Sequence, residues 1–274
     1  MLTQNQLNEI KQLQQICEKE DNIGLKLNWD MLQIRDEEIN DFFHYEENEL
    51  VGFLAIYGFG KKVEVCGMVS PTHRKKGIFT NLLSLALLIC EEREYTEILL
   101  NSPSTSTSAK ELLQKIPCKL VFSEYQMMWS EVKLALDDNV LVRLATPEDL
   151  KAEIQIDVLS FGFQEEQAIE YNNQVKLDST QQFCIIEHNE KTVGKLRVSR
   201  LEDEAWIYGF AVLPAHQGKG IGRRALQKII KQEHEAGFKI FLEVEAKNIH
   251  ALKLYESCGF KVFQAQDYYQ YTIK

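Results

Sequence analysis

The sequence predicts an α/β (α+β) protein made of two copies of one fold, each a mixed, largely antiparallel twisted sheet flanked by helices. Two observations predict this. Strand-like and helix-like segments interleave along the chain, with glycine-bearing turns between neighbouring strands. In addition, His73-Arg74-Lys75-Lys76-Gly77-Ile78 is framed like His216-Gln217-Gly218-Lys219-Gly220-Ile221. Each follows a strand ending in Val-x-Pro (Val69-Ser70-Pro71 and Val212-Leu213-Pro214) and each opens an apolar helix. Their spacing is about half of the 274 residues, far too long for a solenoid repeat.

The elements follow from local patterns. Leu7, Ile10, Leu13 and Ile16 make a helical stripe over the first twenty residues. Glu49–Ile56 and Lys61–Val69 read as strands joined by a turn over Tyr57–Gly60. Ile78–Glu92 is apolar nearly all round, which predicts a helix buried on more than one side. Ser102–Ser108 reads as a loop or helix entry, and Lys119–Trp129 as one or two strands. A turn at Asp137-Asp138-Asn139 suggests domains over 1–135 and 136–274. The second half restarts with a strand at Val140–Leu144. Thr146-Pro147-Glu148-Asp149 then supplies an N-cap, a proline at the first helical position and an acid three residues after the cap. Strands follow at Phe183–Glu187, Thr192–Arg200, Ala205–Leu213 and Lys239–Val244. The helix from Gly220 carries Ala225, Leu226, Ile229 and Ile230 on one face and stops at Gly237; the helix Ile249–Cys258 stops at Gly259.

Composition narrows the function. Hydrophobic residues at 45% and charged residues at 26% are ordinary for a globular protein. No apolar run is long enough to span a bilayer and no signal peptide is visible, so a cytoplasmic protein is expected. The six cysteines are too scattered for a zinc site, and no metal is expected; they read as small buried apolar residues. A net charge of −10 disfavours nucleic-acid binding, as does the lack of any aromatic–basic interleaving.

Gln217-Gly218-Lys219-Gly220-Ile221-Gly222 carries the chemistry. Its glycines allow positive φ and close backbone approach, and the helix behind it offers unpaired N–H groups and a partial positive charge. Lys219, Arg223 and Arg224 add cationic side chains, giving the ingredients of a pyrophosphate cradle. A Walker loop is excluded because Lys219 is followed by Gly220 and Ile221. The dinucleotide fingerprint is excluded because this loop reads GxGxG after a late strand in an antiparallel context. On its own, such a loop reads first as a tight strand-to-helix turn.

Two flanking motifs sharpen this. Ala211-Val212-Leu213-Pro214 leading into Gln217-x-x-Gly220-x-Gly222 resembles the acetyl-CoA loop of the GNAT superfamily of N-acetyltransferases. Leu242-Glu243-Val244 with Asn248-x-x-Ala251-x-x-Leu254-Tyr255-x-x-x-Gly259-Phe260 resembles its later motif. The resemblance covers about residues 140–274. It implies that the amides of Gln217, Gly218, Lys219, Gly220, Ile221, Gly222 and Arg223 hold the pyrophosphate. It also implies that the strand at Phe210, Ala211 and Val212 splays from its neighbour to bind the pantetheine arm, with Asn248 against that arm or capping the next helix.

Acetyl transfer to an amine requires a neutral amine and a protonated leaving thiolate. Deprotonating a lysine-type amine at pH 7 costs roughly 4.6 kcal/mol, an α-amine roughly 1.4 kcal/mol. By resemblance Tyr255 is the acid beside the sulfur, although a tyrosine near a helix end also suits packing. Glu243 is the first candidate base, its spacing to Tyr255 resembling the ribosomal-protein N-terminal-alanine acetyltransferases; as a strand carboxylate it also suits a solvent-facing position. Glu204 is the second, because Trp206 stands where many relatives carry a glutamate. His216 and His250 are given no role.

The first half matches less well. Arg74-x-x-Gly77 is kept, but Phe79 replaces the last glycine, Leu113 stands at the Tyr255 position and Ser106 at the Asn248 position. It reads as a degenerate copy. The expectation is an acetyl-CoA-dependent N-acetyltransferase acting by direct attack on a primary amine of a small molecule or peptide, as a monomer or homodimer. The alternative is a non-catalytic acyl-CoA sensor or scaffold.

Overall fold

The computed structural model describes residues 1–33, 35, 38–135, 139–178 and 180–272. Asp137 and Asp138 of the expected turn lie outside the described residues. Contacts between Cα atoms divide the chain into two compact units, Met1–Glu124 with Gln264–Lys274, and Tyr125–Phe263. Relative to a single cut at 135/136, residues 125–135 fall in the second unit and 264–274 in the first. The physical reason is strand pairing. The last strand, not a local one, satisfies the free edge of the first unit's sheet.

In the first unit, α1 (Gln4–Asp21) and α2 (Trp29–Gln33) precede β1 (Asp41–Glu46), β2 (Glu49–Phe59) and β3 (Lys62–Val69). Then come α3 (Ile78–Glu92), β4 (Glu97–Pro103), α4 (Thr107–Leu113) and β5 (Cys118–Trp129), whose last residues belong to the second unit. β1, β2 and β3 run antiparallel in order, and β3 pairs β4 in parallel. The edge of β4, Leu99–Pro103, is closed by Gln266–Gln270 near the end of the chain. Ser123 donates to Asp267 (2.6 Å), and Gln266 donates to the Gly24 carbonyl (2.9 Å).

Three expectations change here. The buried stripe of α1 is Ile10, Leu13 and Cys17, while Ile16 is exposed, because the true spacing is i, i+3, i+7. Helix α3 buries one face only: Ile78, Leu82, Leu83, Ala86 and Cys90 meet the sheet, whereas Leu85 and Leu88 are 52% and 61% exposed. Finally β2 runs through Tyr57, which is fully buried and donates its hydroxyl to the Leu27 carbonyl, so the turn shrinks to Gly60 and Lys61.

The second unit repeats the plan. After β6 (Leu141–Leu144) come α5 (Leu150–Phe161), α6 (Glu165–Val175), β7 (Gln181–His188), β8 (Lys191–Leu201) and β9 (Glu204–Val212). Then follow α7 (Ile221–Glu235), β10 (Lys239–Glu245), α8 (Ile249–Ser257) and β11 (Phe260–Tyr271), whose last residues close the first unit. β6 to β9 are antiparallel and β9 pairs β10 in parallel. Each unit therefore repeats a run of antiparallel strands followed by one parallel pair. The predicted stripe of α7 (Ala225, Leu226, Ile229 and Ile230) lies fully buried on Ile207, Ile240, Leu242 and Val244. Glu233 beneath it is also buried, and Arg200 offsets its charge with two 2.7 Å hydrogen bonds. Among the described residues no helix is long and apolar enough to cross a membrane. All six cysteines are free; all are buried except the half-buried Cys118.

The expected cap is present: Asp149 accepts from the Thr146 N–H (2.8 Å) and from both terminal nitrogens of Arg143 (2.6 and 2.8 Å). Arg143 therefore holds the Asp149 carboxyl far below its ordinary range. A depressed folded-state pKa contributes stability above the unfolded value, about 3.9, that is lost as pH falls. Asp149→Asn is expected to cost about 2 kcal/mol at pH 7 and progressively less below about pH 4, read from melting midpoints across pH.

Candidate active site

The parallel ladder between β9 and β10 stops early. It runs from Glu204–Lys239 to Ile207–Leu242, yet β9 continues to Val212 and β10 to Glu245. The other edge of β9 is irregular at the same point. Against β8, Lys195 faces Ala211 and Arg197 faces Tyr208, so Gly209 and Phe210 together oppose the single residue Leu196. This is a β-bulge, and Gly209 enters it with φ +56, a conformation suited to glycine. The bulge bends the strand, and Tyr208–Val212 part from Glu243–Glu245. Phe210, Ala211 and Val212 thus lie on a splayed strand.

The loop lies at the open end of that splay. Gly218 and Gly220 both have positive φ (+73 and +74), and Gln217 donates its side-chain amide to the Val212 carbonyl (2.8 Å), tying loop to strand. Lys219 donates to the Ala215 carbonyl and Arg224 to the Lys219 carbonyl. Helix α7 starts on Gly220 with no side-chain cap and no acid in its first turn. The first N–H groups, at Ile221, Gly222 and Arg223, have no carbonyl within the helix to meet them. Gly222 is on the inner side: a Cβ there would meet Phe210, Val212 and Leu254 at 3.5–3.7 Å.

Tyr255 is brought to the same place. Its ring packs near Phe210 (6.3 Å between centroids) and Phe260 (6.2 Å), and the residue is buried. Its hydroxyl makes no hydrogen bond among the described residues. Burial, with a smaller contribution from neighbouring Cys258, pushes the phenol up to about 12. Glu243 is the first residue of β10 beyond the paired stretch, and Gln126 donates to it (2.7 Å). Asn248 caps α8 by accepting from the Ala251 N–H (3.1 Å). Glu204 is not brought to the splay. It accepts from the Trp206 indole (2.7 Å) at the far end of β9, six residues or about 20 Å from Phe210.

The model of the acetyltransferase (GNAT) family matches residues 7–116 and again residues 150–260. The chain belongs to that family. The repeated match makes it a tandem, two-domain GNAT arrangement. A ribosomal protein bS18-alanine N-acetyltransferase of Escherichia coli is 42% identical over 59 residues, 21% of this chain and 40% of that enzyme. An N-alpha-acetyltransferase RimI of Mycobacterium tuberculosis is 40% identical over 73 residues, 25% of this chain and 45% of that one. The chain thus spans less than half the length of these curated relatives. Among solved structures, a GNAT protein of Sphaerobacter thermophilus superposes with a TM-score of 0.77 at 17% identity, covering 96% of this chain and 91% of that one. A tandem GNAT protein from the clavulanic acid biosynthesis pathway gives 0.72 at 13% identity, covering 98% and 96%. At such identities these structures establish the shared fold.

The first GNAT copy keeps the frame. Its ladder between β3 and β4 also stops early, at Val65–Leu100, while β3 runs on to Val69. Lys75 holds positive φ (+64) where the second copy has Gly218, and Gly77 (+86) stands for Gly220. Ser106 caps α4 through the Ala109 N–H as Asn248 caps α8. The bulk of Phe79 is absorbed by exchange: its ring lies over Gly67, where the second copy sets Phe210 over Gly222. What differs is chemistry. Leu113 is buried where Tyr255 would stand, and Arg74 is paired with Asp21 (2.9 Å).

Sequence reasoning missed a cavity of about 200 Å3 in the second copy, lined by Gly209 of the bulge and walled by Phe161, Phe163, Tyr171 and Phe183. Arg197 and the buried pair Lys195–Asp157 also line it. A lone glycine inside a strand pattern was the available signal for the bulge. The sequence pattern gives no sign of what Lys195 and Arg197 on β8 face.

The glycines of the loop have separable roles. Gly220→Ala forces a Cβ into positive φ and is expected to cost about 1 kcal/mol. Gly222→Ala adds a helix former in ordinary contact space and is expected to gain about 0.5–1 kcal/mol. Melting midpoints should fall for the first and rise for the second; the opposite order would contradict this backbone assignment.

Proposed function

We propose that the second GNAT copy is an acetyl-CoA-dependent N-acetyltransferase that acts in the cytoplasm on a primary amine of a small molecule or peptide by direct attack in a ternary complex. The observation that carries this reading is the convergence, within one unit, of a splayed strand pair, an uncapped helix N-terminus at its open end and the unpartnered phenol of Tyr255 along it.

The residues fit a coenzyme A thioester. The amides from Gln217 to Arg223, with Lys219 and Arg223 as cations, would hold the pyrophosphate, and the free edge of Phe210–Val212 would hold the pantetheine arm. Asn248 accepts the α8 cap through its oxygen, which leaves its nitrogen to donate to that arm. The bound thioester supplies an activated acetyl group. Glu243, through water, takes the proton that the ammonium form of the acceptor loses before it attacks, and the second proton, shed by the nitrogen once acylated, ends on the sulfur. As the carbon–sulfur bond breaks, Tyr255 donates its hydroxyl to the departing sulfur. A phenol raised to about 12 stays protonated at neutral pH, the form a donor requires. Glu204 has no part in this reading because of its distance from the splay.

The test is thiol release from acetyl-CoA across a panel of amines. Tyr255→Phe is expected to lower kcat about 100-fold with acetyl-CoA affinity unchanged; full kcat would rule out the donor role. Glu243→Gln is expected to lower the rate near neutral pH about 10-fold or more and to alter the pH–rate profile; an unchanged profile would remove Glu243 as base.

A further inference from the structure

Beside the bulge, the aromatic cavity carries an uneven set of charges. Asp157 is buried and neutralised by Lys195 (2.5 Å), with Asn172 donating to it as well (2.6 Å). Glu153, also buried, is neutralised by Lys176. The third cation, Arg197, forms no ion pair with any described residue. Its Nη1 donates to Gln181 (2.5 Å), its Nη2 approaches the Tyr171 hydroxyl at 3.5 Å, and its plane lies over the Tyr208 ring (4.7 Å). Gln181 separates it from Asp178, whose carboxylate already accepts from Thr180 and from the Gln181 nitrogen. A guanidinium has five N–H donors. At most two are used here, and the buried Nε has no partner.

We propose that Arg197 selects acceptors that carry a carboxylate next to the amine, with an apolar or aromatic side group seated among Phe161, Phe163 and Tyr171. The inference rests on the acetyl-transfer reading above and names its acceptor class. Three observations carry it. Both carboxylates that line the cavity, Asp157 and Glu153, are already ion-paired to lysines, whereas Arg197 has no ion-pair partner among the described residues. The unused N–H groups of Arg197 suffice for the two-pronged bond that a carboxylate accepts. Gly209 lines the cavity, and a Cβ there would meet nothing within 4 Å, so an amine held against it lies beside the splay. At about 200 Å3 the cavity is below the usual 300–1,000 Å3 of pockets for larger ligands, which suits one side group rather than a peptide. An acceptor that is purely cationic would face Arg197 with no carboxylate to spare, because Asp157 and Glu153 are bound to their lysines.

The decisive measurement is calorimetric binding of L-phenylalanine, L-phenylalaninamide and L-alanine to the whole protein saturated with coenzyme A, alongside acetyl transfer to each. L-phenylalanine is expected to bind at least 10-fold tighter than its amide and than L-alanine. Arg197→Gln should erase the preference over the amide, and Arg197→Lys should restore part of it. Equal binding of acid and amide by the wild-type protein, no binding of any probe, or an equal loss for both in Arg197→Gln would overturn the proposal. If Arg197→Gln fails to fold, the wild-type ratio and Arg197→Lys decide it. Arginine-dependent binding without transfer would uphold the pocket and sink the acetyl-transfer reading. Transfer to amines with no carboxylate preference would do the reverse.

Discussion

The second unit turns on one backbone event, the insertion of Gly209 and Phe210 opposite Leu196. A parallel pair of strands would otherwise pair along its length, since every N–H and C=O left unpaired carries a cost unless water or a ligand meets it. At the bulge β9 leaves β10 after Ile207, and two strand edges are without each other. The same event sets the side chains. Phe210 turns toward Tyr255 and Gly222, while the bare Gly209 faces the aromatic cavity. In the proposed reaction the groove for the thioester and the pocket for the acceptor meet there because one residue too many lies on one strand.

The first copy shows what the fold retains without that event. Its β2–β3 ladder is regular from Gly52–Val69 to Phe59–Lys62, and its β3–β4 pair still splays. Divergence of the parallel pair therefore does not need the bulge, but redirection of the side chains does. The exchange of Phe210 and Gly222 for Gly67 and Phe79 keeps one ring between strand and helix, so packing is conserved although the identities are swapped. The polar machinery has no such compensation: a leucine cannot donate a proton, and Arg74 spends its charge on Asp21. The cost of placing Lys75 at positive φ, about 1 kcal/mol, is still borne there.

Much of this was legible in one dimension. Gly218, Gly220 and Gly237 mark positive φ, Thr146 to Asp149 mark a cap, and the α7 stripe marks its buried face, because each is a short-range consequence of residue type. The closure of β4 by Gln266–Gln270 was not legible, since pairing across more than 160 residues leaves no local trace. Helix α3 misled for a related reason: Leu85 and Leu88 continue an apolar run without any partner in the unit to cover them. The cavity charges were hidden because Lys195 and Arg197 differ only in what α5 and α6 bring to them, a carboxylate for one and a phenol for the other.

The acidity of Tyr255 limits what it can do. A phenol near 12 facing a thiolate whose acid has a pKa of about 8.5 would lose about 5 kcal/mol by giving its proton away completely. A hydrogen bond to a charged acceptor returns only about 1.5–3 kcal/mol of that. The economical role in the proposed reaction is therefore donation without full transfer while the carbon–sulfur bond stretches. The proton that finally stays on sulfur then comes from the amine, whose nitrogen becomes strongly acidic once acylated. Burial of Tyr255, which makes it a poor acid, also makes it a donor that never competes as an anion for the space beside Phe210.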